Sequence, residues 1–153
     1  MTFRRVPKNW LVSVSRVYIV ENVQTGLAFE DYPGSVVFMG LGYGVGTLGR
    51  LPWVMRARCT YWGDLDTHGL AILSRARAQL PHLESVLMDE DTLLRYRELW
   101  VSENPQYGAT ELPLLTPEEQ AVYRGLKEQR WGVNIRLEQE RIDLSYAWNV
   151  LVR

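Results

Sequence analysis

Short apolar runs rich in β-branched and aromatic residues alternate along the chain with stretches whose apolar residues recur at helical spacing. Four of these runs predict β-strands: Arg16–Val20, Ser35–Met39, Arg58–Trp62 and residues 83–88. The clearest helical pattern covers residues 67–80, in which leucine and alanine recur every three or four positions while Arg75 and Arg77 face away. Strands that alternate with helices predict an α/β fold with a mostly parallel four-stranded sheet flanked by helices.

Weaker helical patterns and turn signals divide the rest of the chain. Further helices are predicted over residues 24–32, 91–100, 116–131 and 143–152. The third of these has the strongest start signal, because threonine, proline and glutamate occur there in the order of a capping box. Residues 102–115 are predicted to form a loop, and 133–142 is compatible with a strand or a helix. Residues 1–15 are interpreted as a lead-in to one domain over 16–153.

Acidic residues follow two of the predicted strands directly. Glu21 comes after the first strand, and Asp64 and Asp66 come after the third. The carboxyl ends of parallel strands meet at one edge of a sheet, where the active sites of α/β folds lie. We therefore expect these three carboxylates to form a single site.

Asp64 and Asp66 are candidate metal ligands and catalytic residues. In an extended segment, residues two positions apart point to the same side, so both carboxylates could reach one ion. Mg²⁺ prefers one or two carboxylates together with water and phosphate oxygens. The sequence is equally compatible with a structural role, in which Asp66 or Thr67 caps the helix that follows.

Three glutamates extend the candidate site. Glu21 is interpreted as a third ligand or a general acid/base, against the alternative of a solvated strand end. Glu138 and Glu140, in R-L-E-Q-E-R, share a face if their segment is extended and could then serve a second metal ion. In a helix they would point apart into solvent, and charge runs of this kind favour that alternative.

A glycine-rich stretch over residues 40–49 contains the pattern G-x-G-x-x-G. A dinucleotide site needs a helix that opens at this pattern, and Pro52 interrupts such a helix. We favour a flexible loop that lets a nucleic-acid backbone approach the sheet edge. His68 is a candidate phosphate donor or a cover for the helix start, and Arg56 and Arg58 are candidate DNA-binding residues or solvated surface.

Composition limits the class of partner. The 153 residues carry a net charge of -1 and the pI is about 6.1, so the basic excess of a typical DNA-binding module is absent. Any basic DNA-binding surface is therefore local or is supplied by another domain or subunit. A single cysteine excludes an internal disulfide, and no apolar run approaches the ~20 residues of a membrane span. We expect a cytoplasmic protein without a membrane-spanning segment.

The motifs together resemble a known family. A strand that ends at Glu21 and another that leads into G-D-L-D-T-H-G resemble the Toprim domain of topoisomerases, primases and related nucleases, above all that of the type IIB topoisomerase A subunit. Those relatives place Pro-x-Gly after the D-x-D; here the proline is absent and Gly69 is kept. The blocks V-Y-I-V-E-N, W-G-D-L-D-T-H-G-L-A-I-L, L-M-D-E-D-T-L and L-E-Q-E-R-I are similar to the C-terminal domain of the JetD family, over about residues 10–150.

The resemblance implies a fold, a reaction and partners. It implies a Rossmann-like Toprim domain in which Glu21, Asp64 and Asp66 bind Mg²⁺ or Mn²⁺, with Glu138 and Glu140 as further ligands. It implies hydrolysis of double-stranded plasmid DNA by activated water, without a tyrosyl–DNA intermediate. The partners implied are the SMC-like JetABC complex of the Wadjet plasmid-defence system and a second copy of a longer protein whose C-terminal part this chain forms. We expect this domain alone to cut DNA poorly.

A non-catalytic alternative stays open at this point. A Toprim-like module could serve dimerisation or docking to an SMC-type complex, through the apolar and aromatic helix predicted over residues 143–152.

Overall fold

Four parallel strands form the central sheet in a computed structural model that describes residues 13–153. The predicted lead-in over 1–15 lies mostly outside the described residues. The strands are β1 (Arg16–Val20), β2 (Ser35–Met39), β3 (Arg58–Trp62) and β4 (Glu84–Ser85), in the order β2-β1-β3-β4. All three pairings are parallel, and helices flank the sheet. The predicted α/β class and four-stranded sheet are confirmed.

Among the described residues, six α-helices and a small second sheet surround the central sheet. The helices are α1 (Val23–Leu27), α2 (Pro52–Arg56), α3 (Thr67–Ala76), α4 (Glu90–Arg95), α5 (Pro117–Lys127) and α6 (Leu144–Leu151). The second sheet pairs β5 (Val101–Ser102) with β6 (Ile135–Arg136) in antiparallel orientation. Short 3-10 helices cover Gly42–Arg50, Arg97–Leu99 and Gln139–Arg141.

Strand β1 lies inside the sheet and aligns its neighbours. Val20, its last residue, pairs with Met39 of β2 on one side and with Trp62 of β3 on the other. The residues that follow β1, β2 and β3 therefore leave the sheet at the same edge. Strand β2 was expected to be covered on both faces, but each of its residues is only partly buried because β2 is an edge strand.

Two predicted elements are shorter than the sequence pattern indicates. The strand predicted over 83–88 pairs only at Glu84 and Ser85, because Leu87 has a left-handed φ of 58° that ends the extended segment. The helix predicted over 67–80 ends at Ala76, and tighter turns carry the chain on to Pro81. The loop predicted over 102–115 includes Ser102, the last residue of β5.

The glycine-rich stretch is an ordered, packed segment, so the prediction of a flexible loop is wrong. Residues 42–50 form a 3-10 helix in which Gly46 is buried. A Cβ at Gly49 would lie 2.5 Å from the main-chain oxygen of Gln79. Glycine serves here for close packing against the end of α3, and the helix that a dinucleotide site requires does not open at this motif.

The final helix belongs to the core more than to an exposed face. Its N-cap is Asp143, whose side chain accepts from the Tyr146 N–H, and Ala147 and Leu151 are buried. Trp148 packs edge-on against Phe29, with ring centroids 5.4 Å apart. The predicted helix is confirmed. Within residues 13–153, no helix is long and apolar enough to cross a membrane.

A buried ion pair links the end of α3 to the start of α5. Arg77 was expected to face away from the core, but it donates to both carboxylate oxygens of Glu119, at 2.5 and 3.1 Å. The two side chains are 10% and 6% exposed. Burial opposes ionisation of Glu119, yet hydrogen bonds from Arg77, Ser85 and the Thr116 N–H lower its pKa below the usual range.

We predict that Arg77→Ala lowers the free energy of unfolding by about 3–5 kcal/mol, because it leaves the buried Glu119 carboxylate unpaired. Arg75→Ala is the matched control. Arg75 is exposed and stacks over Tyr43, a contact worth about 0.5–1 kcal/mol. Urea unfolding followed by tryptophan fluorescence measures both values, and equal losses would contradict the role assigned to the ion pair.

Candidate active site at the carboxyl edge of the sheet

Glu21, Asp64 and Asp66 lie at the same edge of the sheet, as the strand order predicts. Glu21 follows β1, and its main-chain N–H donates to the Trp62 oxygen at the end of β3. One carboxylate oxygen of Glu21, Oε2, accepts from the Asp64 N–H at 3.0 Å. The first candidate therefore contacts the D-x-D segment directly and is not a solvated strand end.

Two glycines allow the chain to turn tightly around the aspartates. A Cβ at Gly63 would collide with the Tyr61 hydroxyl, and one at Gly69 would collide with the main-chain oxygen of Asp64. Asp66, between them, is extended and caps α3, because its Oδ1 accepts from the Gly69 N–H at 2.6 Å. The capping alternative is confirmed for Asp66, and capping uses only one of its two oxygens.

A distant segment covers the D-x-D motif. Leu65 and Leu137 form an isolated antiparallel bridge, with N–H to oxygen distances of 2.9 and 3.1 Å. Gln139 is fully buried and makes three hydrogen bonds at this edge. Its N–H donates to Asp64 Oδ1 at 2.7 Å, and its side chain accepts from Asn22 and donates to the Trp62 oxygen.

Arg136 supplies a positive charge to both aspartates. Its NH2 group donates to Asp64 Oδ2 at 2.6 Å, and its Nε lies 3.3 Å from Asp66 Oδ2. The Nε is buried, and no hydrogen-bond partner within residues 13–153 satisfies it. The contact with Asp66 is therefore an attraction of charges that lacks hydrogen-bond geometry.

Glu103 adds a fourth carboxylate beside the helix start. It is 3% exposed and accepts from the N–H groups of Thr67 and His68 and from the Thr67 hydroxyl. Glu103 and Asp66 together satisfy the first three N–H groups of α3. The anion site that a helix N-terminus offers is thus filled by the protein's own side chains.

Burial makes the negative charge at this edge costly. The pKa of Glu21 is raised by burial and by the charge of Asp64. The pKa of Asp66 is raised to about 7 by burial and by Glu103, although the Gly69 N–H and Arg136 both act to lower it. The guanidinium of Arg136 therefore compensates only part of the acidic charge.

The oxygen ligands at this edge suit a hard divalent cation. Asp64 and Asp66 each use Oδ1 for a main-chain N–H and direct Oδ2 toward one shared cation, the guanidinium. Two carboxylates completed by water and phosphate oxygens match what Mg²⁺ accepts. In the part of the chain that is described, no three histidine, cysteine, aspartate or glutamate side chains are grouped to hold a metal ion. Metal ligation by Glu21, Asp64 and Asp66 stays a prediction.

The segment of Glu138 and Glu140 is neither of the two forms considered from sequence. It contains one 3-10 turn, Gln139–Arg141, directly after Glu138. Glu138 pairs with Arg141 at 3.4 Å, and Glu140 is exposed. Glu140 still lies near enough to contribute to the raised pKa of Glu21. Metal ligation by this pair stays a prediction.

The basic candidates are not brought to the acidic edge. Arg56 ends α2, and Arg58 begins β3 and pairs with the exposed Glu84, so both lie toward the amino ends of the strands. His68 is closer, but both ring nitrogens are engaged, by the Tyr43 hydroxyl at 2.7 Å and the Pro105 oxygen at 3.2 Å. A DNA contact by any of them stays a prediction.

Sequence reasoning missed Arg136, Gln139 and Glu103. Arg136 and Gln139 lie in the stretch left open between strand and helix, and Glu103 lies in the predicted loop. Each of the three contacts a residue 35 or more positions away in the chain, so no local sequence pattern predicts the contact.

We predict that pH changes the stability of the wild type relative to Asp66→Asn when metals are chelated. Asparagine keeps the capping oxygen but cannot ionise. Between about pH 4 and 7 the folded protein holds a proton on Asp66 that the unfolded chain has lost, so stability falls as pH rises through this range. From pH 5 to 8 the wild type should lose about 2 kcal/mol relative to the variant, measured by urea unfolding. A pH-independent difference would contradict the raised pKa.

No curated protein matches the chain. Residues 3–151 match the family described as the Wadjet protein JetD, C-terminal. The match covers nearly the whole chain and confirms the resemblance to the C-terminal domain of the JetD family. The chain therefore belongs to the family formed by the C-terminal region of the Wadjet protein JetD.

Proposed function

We propose that this chain is a metal-dependent DNA endonuclease domain of Toprim type, which hydrolyses phosphodiester bonds at its acidic sheet edge. Membership of the JetD family ties the chain to the Wadjet anti-plasmid system. The observation that carries the proposal is the arrangement of Asp64 and Asp66, whose Oδ2 atoms face one shared cation at the carboxyl ends of parallel strands. Active sites of α/β folds lie at this position.

Asp64 and Asp66 are the residues that would hold Mg²⁺ or Mn²⁺, with Glu21 as their neighbour. The metal would polarise the scissile phosphate and lower the pKa of a bound water. The protein keeps the aspartates in place through main-chain hydrogen bonds from Gln139 and Gly69, so the ligands are oriented before a metal arrives. Such preorganisation limits the entropy lost when the ion binds.

Glu21 is suited to proton transfer. Its Oε2 is held by the Asp64 N–H, and its pKa is raised by burial and by Asp64. A carboxyl group whose pKa lies closer to neutral exchanges protons more effectively near pH 7. We assign Glu21 the role of accepting a proton from the attacking water or donating one to the leaving oxygen.

Capture of DNA requires more positive charge than this chain carries. The net charge is -1, and DNA affinity depends strongly on neutralised phosphates. We propose that the SMC-like JetABC partners, other parts of a longer JetD protein and a second copy of it bring plasmid DNA to the edge. The acidic edge would then act on a substrate that is already held.

We predict that Asp64→Asn lowers the rate of plasmid cleavage by at least about 100-fold, because it removes a charged ligand and the partner of Arg136. The measurement is nicking and linearisation of supercoiled plasmid by the JetABCD complex that contains this chain. Glu128→Gln, which removes the exposed carboxylate of the C-cap residue of α5, is the matched control and should cut normally. Undiminished cutting by Asp64→Asn would refute the assignment.

We also predict that Mn²⁺ stabilises the wild-type chain and that EDTA abolishes the gain. At a metal concentration 100 times the dissociation constant, the free energy of unfolding should rise by about 2.7 kcal/mol. The double variant Asp64→Asn, Asp66→Asn should show no gain, whereas Glu128→Gln should behave as the wild type. A stably folded wild type that does not respond to Mn²⁺ or Mg²⁺ would favour the docking-module alternative.

A further inference from the structure

The guanidinium of Arg136 lies between the two candidate ligands and contacts the oxygens that a metal would use. Its NH2 group donates to Asp64 Oδ2 at 2.6 Å, and its Nε lies 3.3 Å from Asp66 Oδ2. The other oxygen of each aspartate, Oδ1, already accepts a main-chain N–H, from Gln139 and from Gly69. A cation held by these two carboxylates would therefore compete with the guanidinium for their Oδ2 atoms.

Arg136 makes a strong contact with Asp64 and an incomplete contact with Asp66. The bond to Asp64 is short and charge-assisted, which is the stronger class of hydrogen bond. The buried Nε, by contrast, has no hydrogen-bond partner among the described residues. Arg136 therefore balances charge at this edge without the bidentate geometry that would make it a permanent partner of both aspartates.

The side chain of Arg136 is partly exposed to solvent, so it can move away from the aspartates. It is 27% exposed, against 14% for Asp64 and 4% for Asp66, so it borders solvent at the mouth of the acidic edge. It extends from β6, a two-residue strand of the small sheet. When both carboxylates bind a metal, the displaced guanidinium needs another anion, and a phosphate can accept two parallel hydrogen bonds from the planar guanidinium.

We infer that Arg136 is an exchangeable counter-ion, which yields the two Oδ2 atoms to a divalent metal and then binds a DNA phosphate. This inference rests on the proposed function. The exchange of Arg136 makes metal binding and DNA binding cooperative, because each ligand removes a competitor for the binding of the other. Metal takes the aspartates from Arg136, and phosphate takes Arg136 from the aspartates, so the coupling must be reciprocal.

The first test measures Mn²⁺ affinity without DNA, from the free-ion signal in electron paramagnetic resonance. Arg136→Gln should bind Mn²⁺ about 10-fold more tightly than the wild type, because no guanidinium competes for the ligands. Arg136→Lys keeps the charge and should stay much nearer to the wild type, whereas a packing role would change both variants alike. Arg124→Gln removes an exposed arginine on α5 and is the charge-matched control, with affinity within about 2-fold of the wild type.

The second test measures binding of a fluorescein-labelled DNA duplex by the JetABCD complex that contains this chain, with and without Ca²⁺ in place of Mg²⁺. Ca²⁺ should strengthen DNA binding by the wild type by about 5-fold or more, and this gain should be lost in Arg136→Gln. Thermal unfolding gives a readout if the variant is destabilised. Arg136→Gln should unfold at a lower temperature in EDTA and gain more from Mn²⁺ than the wild type does.

The outcomes separate the two proposals. Equal or weaker Mn²⁺ binding by a folded Arg136→Gln, with clear binding by the wild type, overturns the exchange and leaves the metal site intact. Absence of Mn²⁺ binding by both proteins overturns the metal site itself. Tighter Mn²⁺ binding by the variant together with loss of the Ca²⁺-dependent DNA affinity supports the exchange.

Discussion

Leu65 is completely buried, and the side chains of its neighbours Asp64 and Asp66 are only 14% and 4% exposed. Their negative charge has to be compensated inside the protein, because an uncompensated charge is costly in a medium of low dielectric. Main-chain N–H groups satisfy one oxygen of each aspartate, and Arg136 faces the other. The elevated pKa of Asp66 shows that this compensation is partial. The edge thus keeps an excess of negative charge, which is the feature on which our proposal of a metal site depends.

The small antiparallel sheet is the means by which the fold supplies this chemistry. Strand β6 carries Arg136, and Glu103 directly follows β5, with its N–H bonded to the Asn134 oxygen. The two residues act in opposite senses on Asp66, since Glu103 raises its pKa and Arg136 lowers it. The central sheet therefore positions the two aspartates, whereas the small sheet contributes to their electrostatic environment.

Local pattern predicts much of this fold and little of its site chemistry. Three strands were predicted with the bounds that the structure has, because unbroken apolar runs are distinctive in a parallel sheet. The fourth strand was predicted too long, because nothing in its composition predicts the left-handed φ of Leu87. The acidic edge followed from strand order alone. Arg136 could not be predicted, because an arginine beside two glutamates resembles solvated surface until the bridge between Leu65 and Leu137 brings it across the site.

That bridge also has a consequence for the order of events during translation. Asp64 leaves the ribosome 72 residues before Arg136, and closing a loop of that length carries an entropic cost that only the finished contacts repay. The nascent central strands therefore present their carboxylates before the matching guanidinium exists. A nascent chain that does not yet include Arg136 lacks the positive charge that we propose is exchanged between the aspartates and a DNA phosphate.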